Sequence, residues 1–194
     1  MPQSMDPIKW TNHQDYFRLA LENWGRIQIL KREHDALEVN IGRDPASDDA
    51  IADQLAAKNS EIGKLALVVV VFAAFALEAY INDYAITILS KNYFKNYLDN
   101  KLDVAAKWIV VPRIVTGDQL PAGSRAMQDL AWLVALRNAL AHFKSKELAL
   151  ADIRTSDFLW YEDAERAIRA VRASVLALSK VDGRAETAWL EVEA

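Results

Sequence analysis

The chain has 194 residues, 52% of them hydrophobic and 26% charged, with 6 Gly, 5 Pro, no Cys and a net charge of −4. That length suits one domain with a sizeable core, and the absence of cysteine excludes disulfides, thiolate nucleophiles and Cys-based zinc sites. The negative balance argues against a broad nucleic-acid-coating surface but leaves room for a local basic cleft.

Scarce Gly and Pro beside abundant Ala, Leu, Glu, Lys and Arg point to helices throughout. The opening "MPQSMDPIKW" has no apolar segment of signal-peptide type. Helical spacing of Phe17, Leu21, Trp24, Ile27, Leu30 and Leu37 predicts a first helix over 12–39. "NIGRDPASDD" gathers Gly, Pro, Ser and Asp and reads as a loop that caps the next helix. From Asp48 the pattern stays helical to about residue 97, with a break expected at 59–63, around Gly63. Inside it, "LALVVVVFAAFAL" at 65–77 is apolar on every face. A membrane span needs about 20 such residues, so the expectation is a buried core helix in a soluble, cytoplasmic protein with no membrane partner.

A third helix is predicted over 102–111, followed by "VPRIVTGDQLPAGS" as a loop. The next helix should start near Ser124. A last one should run over 161–180 and stop at Gly183 in a C-terminal capping role. The closing "ETAWLEVEA" is acidic with a Trp-Leu anchor that docks on the domain or on a partner. The fold class is therefore all-α with four main helices in a single domain. Its core lies at about 51–180, its N-terminal helix and loop at 1–47 and its tail at 181–194.

Only three histidines occur, His13, His34 and His142, and none belongs to an HxxxH or HExxH pattern. Glu-x-x-His pairs, phosphate-binding glycine loops and GxSxG elbows are also missing. What survives is Arg137-Asn138-x-x-x-His142 in "LRNALAHF". Asn138 and His142 share a helix face, whereas Arg137 and His142 lie about 140° apart on an ideal helix. Joint action requires the helix to end near His142, or a second copy to supply the complement. The residue types suit attack on a phosphodiester. A histidine moves protons near neutral pH, an arginine grips phosphate oxygens, and the RNA 2′-hydroxyl serves as nucleophile without a metal. Lys144 and Lys146 add positive charge for a backbone. The plainer account is a histidine and lysines stabilising a helix C-terminus through its dipole.

The motif resembles the hallmark of the HEPN (higher eukaryote and prokaryote nucleotide-binding) domain, which is Arg, a polar residue, then His after four to six intervening positions. The apolar run "VVFAAFALEAYIND" is also similar to the family's long second helix, and the resemblance covers about residues 51–180. It implies an up-and-down four-helix bundle, here with an extra N-terminal helix or arm, that dimerises and so juxtaposes two motifs. It implies a metal-independent endoribonuclease of toxin–antitoxin, phage-defence or RNA-processing type, or a non-catalytic relative that binds nucleotide, RNA or protein. By that likeness His142 is the general base or acid, Arg137 holds the scissile phosphate and Asn138 orients it. The expected partners are RNA, a second copy of the chain and an antitoxin or regulatory protein. No cofactor or metal is expected. One branch carries a modifiable tyrosine two residues past the histidine, where this chain has Lys144.

Glu78 interrupts an apolar face, and Asn82 follows one turn later on the same side. Glu78 either orients Arg137 or His142 from a neighbouring helix or pairs with an arginine at the bundle edge. Arg166, Arg169 and Arg172 form a basic stripe or, beside Glu162, Asp163 and Glu165, an ordinary solvated face. Tyr80, Tyr84, Tyr93, Phe94 and Tyr97 either stack bases or pack the bundle.

Overall fold

A computed structural model describes residues 11–42, 45–142 and 159–191, the side chains of 45–47 apart. Six α-helices and no strand occur among them. The five helical stretches read from the sequence, taken as four main helices, thus become six α-helices, because the region 48–116, read as two helices, holds three.

Helix α1 spans His13–Glu38, close to its predicted limits, and lies along the longest element, α2 at Pro45–Leu89. Phe17, Ala20 and Ile27 of α1 are fully buried, so this helix belongs to the core and is no detached arm. Helix α2 runs unbroken for 45 residues, about 65 Å at 1.5 Å per residue. The break expected at 59–63 does not occur. Gly63 serves close packing instead, since a Cβ there would lie 3.3 Å from the Leu159 carbonyl oxygen. Among the described residues α2 is the one helix long and apolar enough to cross a membrane. Half of its most apolar window is buried by the rest of the chain.

The true break is at Ser90, whose φ of 79° and ψ of 149° end α2. The Ser90 hydroxyl accepts the Tyr93 amide and opens α3, Lys91–Tyr97. A single 3-10 turn, Asp99–Lys101, leads to α4 at Val104–Thr116. The Asp103 carboxylate caps α4 by accepting the Ala106 amide at 2.7 Å. This helix passes through Pro112 and ends at Gly117, whose left-handed φ of 83° carries its amide back to Arg113. The predicted loop at 111–124 is therefore shorter than expected. Pro112 lacks an amide for the Trp108 carbonyl, but it is buried on the helix's inner face, and packing outweighs the lost bond.

Helix α5, Arg125–Ala141, starts where Ser124 predicts, with the serine hydroxyl accepting the Met127 amide. Helix α6, Tyr161–Val181, matches its predicted range. Its stop differs in kind. Gly183 has no positive φ, and Asp182 ends the helix in extended backbone, its carboxylate accepting both the amide and the guanidinium of Arg184.

Helix α2 is the central element, contacting every other α-helix. The C-terminal tail docks on this domain. Trp189 is 2% exposed, its ring packed edge-on against His13 and Phe17 and tilted against Tyr80. The Tyr80 hydroxyl donates to the Glu186 carbonyl at 2.8 Å and that of Tyr84 to Asp182 at 2.5 Å.

Candidate active site

The apolar contact of α2 with α4 and α5 ends at a polar cleft of about 400 Å³. Glu78 and Asn82 face it from α2, Lys107 from α4, and Arg137 and Asn138 from α5; the segment 99–104 closes one side. Four residues singled out from the sequence, Glu78, Asn82, Arg137 and Asn138, therefore share one cleft.

Arg137 is the hinge of the arrangement. Its Nη2 donates to Glu78 Oε2 at 2.5 Å, and its guanidinium lies 5.7 Å from the Phe75 ring centroid. The two accounts of Glu78 merge here, since the arginine it pairs with is the motif arginine. The Arg137 Nε–H is buried and has no hydrogen-bond acceptor among the described residues. A buried donor left unmatched costs free energy.

Lys107 was not singled out from the sequence. It is 4% exposed, its ammonium donates to Asn82 Oδ1 at 3.0 Å, and it lies 5.3 Å from the Phe94 ring centroid. Asn82 thus positions a buried cation. The signal was available, because Val104, Lys107, Trp108 and Val111 occupy the inward positions of one helical stripe. A lysine in such a stripe is an exception worth following.

His142 stands apart from these groups. It caps α5 with φ −109° and ψ 23°, donates its amide to the Asn138 carbonyl at 3.0 Å and is exposed. The helix does end at the histidine, as joint action with Arg137 would require, but the ring does not line the cleft. Lys144 and Lys146 lie outside the described residues.

The stripe Arg166, Arg169 and Arg172 divides. Arg166 and Arg169 turn to Asp129 of α5, while Arg172 lies 5.9 Å from the Phe17 ring centroid. Asp129 is fully buried. Burial pushes its carboxyl pKa up, but hydrogen bonds from Arg166 and Arg125 outweigh that and hold it below the ordinary value. Of the aromatic cluster, Tyr80, Tyr84 and Phe94 are packed inside, and only Tyr93 and Tyr97 are exposed, 5.1 Å apart. His13 is buried between Tyr80 and Trp189. His34, Asp35 and Glu38 have ligand atoms within 4.8 Å of one another on the exposed face of α1. The Lys31 ammonium already takes Asp35 at 2.5 Å, so a cation would meet a competing charge there.

No protein-family model, curated protein or solved structure matches this chain.

Proposed function

We infer that the chain is a metal-independent endoribonuclease, of toxin or phage-defence type, whose site is completed by a second copy. The observation that carries this reading is Arg137. It is fixed beside a polar cleft by Glu78 and shares that cleft's lining with Asn138 and the buried Lys107. Such a cleft suits the non-bridging oxygens of a phosphodiester.

In the reaction, His142 removes the proton of the RNA 2′-hydroxyl, and the oxygen attacks the adjacent phosphorus. The bond to the 5′-oxygen breaks, and that oxygen takes a proton from the imidazolium so formed or from water. The products are a 2′,3′-cyclic phosphate and a 5′-hydroxyl. Arg137 neutralises the charge gathering on the phosphoryl oxygens, and Asn138 donates to one of them. Because His142 caps its helix outside the cleft, the histidine serving one Arg137 comes from the partner copy.

A non-catalytic module binding nucleotide, RNA or protein is the second reading. The closed Arg137–Glu78 ion pair favours it, since an arginine held this way is partly spent. Cleavage of labelled single-stranded and transfer RNA in excess chelator separates the two. The nuclease reading predicts cutting with cyclic phosphate ends, reduced about 100-fold or more by His142→Ala and by Arg137→Ala. Binding without cutting by folded protein would support the module instead.

A further inference from the structure

We propose that Arg125, Arg166 and Arg169, gathered on Asp129, form a second site, one that binds a phosphate group. It stands on observations separate from the cleft and does not depend on cleavage there.

Asp129 lies on the inner side of α5 with its side chain 1% exposed. A buried carboxylate needs a cationic partner, and one well-placed guanidinium satisfies it. Three converge here: Arg125 from one turn earlier at 3.0 Å, and Arg166 at 2.7 Å and Arg169 at 3.6 Å from α6. All three meet the carboxylate through Nε. Arg184, by contrast, grips Asp182 with both Nε and Nη2. The Nη amino groups of the trio therefore have no hydrogen-bond acceptor among the described residues.

Other carboxylates were within reach of the sequence. Glu162 precedes Arg166 by four positions and Glu165 precedes Arg169 by four, the favourable order for helix ion pairs. Among the described residues neither pair forms, and both arginines turn to Asp129. Arg166 is further fixed 4.2 Å from the Trp132 ring centroid. Arg125 and Arg169 keep side-chain exposures of 70% and 48%, so the outer edges of their guanidiniums meet solvent.

The result is three positive charges on one negative, in a chain of net charge −4. The carboxylate orders the guanidiniums in advance, so an incoming anion does not bear that entropy. Several forked donors facing outward match the oxygens of a phosphate, either free or in a polynucleotide backbone.

The test measures two probes on wild type, Arg125→Gln, the double variant Arg125→Gln/Arg169→Gln and the distant control Arg113→Gln. Arg166, which holds Asp129 most closely, is left in place. One probe is pyrophosphate, followed by calorimetry. The other is a fluorescein-labelled single-stranded 2′-O-methyl RNA of about twelve nucleotides, which cannot be cut by 2′-oxygen attack. The double variant should bind about 10-fold more weakly, with the slope of log affinity against log salt reduced by about 1.4 for RNA. Arg125→Gln, at an exposed position, should show part of that loss even if the double variant misfolds. Loss for RNA alone assigns the site to a polynucleotide backbone, and loss for pyrophosphate alone to a free phosphate. The proposal is overturned if wild type binds neither probe, or if both variants bind both probes as wild type does. Arg137→Ala and His142→Ala should leave the Arg125 effect unchanged, which keeps failure of this site separate from failure of the cleft.

Discussion

Under the proposed function, Arg137 holds both a structural and a chemical role. Its ion pair with Glu78 joins α5 to α2, and the same contact fixes the guanidinium at the cleft. Glu78→Gln keeps the shape and removes the charge, so Arg137 becomes less well placed. RNA cleavage should fall about 10-fold while RNA affinity stays within about threefold, a split that single-turnover and binding assays can read separately. At Asp182 the argument concerns stability. The guanidinium of Arg184, aided by the Tyr84 hydroxyl, holds this carboxyl well below its ordinary value, and Asp129 is shifted the same way. A depressed carboxylate pKa contributes stability that is complete above the unfolded value of about 3.9 and is lost as pH falls below it. Burial pushes the hydroxyls of Tyr80 and Tyr84 upward, so their contribution is complete below about pH 10 and lost above it. Thermal melts against pH should therefore decline at both ends. Asp182→Asn should lower the melting temperature at neutral pH by a few degrees and flatten the acid limb.

At the scale of elements, Ser90 and Gly63 make opposite predictions. Ser90 holds a φ of 79° with extended ψ, a region that only glycine occupies without strain. Ser90→Gly should stabilise the protein by about 1 kcal/mol, because glycine relieves the strain and still permits a helix start. Gly63→Val should destabilise it by roughly 1–3 kcal/mol, since added atoms would press on the Leu159 carbonyl. Urea melts of the two variants check both signs. These residues also show where sequence reading stops. The first and last helices and the Ser124 cap were legible because periodicity and capping are local. The role of Gly63 was not, because its reason lies in a distant stretch of chain that packs on it. Pro112 misled for a similar cause, its burial being a tertiary fact. In the cleft, Glu78 and Asn82 were visible as polar exceptions on an apolar helix. Lys107 was equally visible in its helical phase and was passed over. That Asp129 would draw two arginines out of the α6 stripe required the packing of α5 on α6.

At the scale of the whole molecule, the cleft gathers the arginine half of the motif and leaves the histidine half at a helix end. Leu67 of α2 is 45% exposed, and Phe72 and Phe75 of the same helix are only partly covered. A homodimer reconciles these facts under the proposed function, and its mass in solution should be twice that of the chain. Mixing tests the composite site most directly. Purified Arg137→Ala and His142→Ala, each inactive, would be unfolded together, refolded and assayed on RNA in excess chelator. Half the dimers would be mixed, and each would carry one intact Arg137–His142 pair contributed by two different chains. The account predicts recovery of about a quarter of wild-type cleavage. Cleavage by wild type with no recovery in the mixed dimers would contradict it, placing both residues of each working pair on one chain.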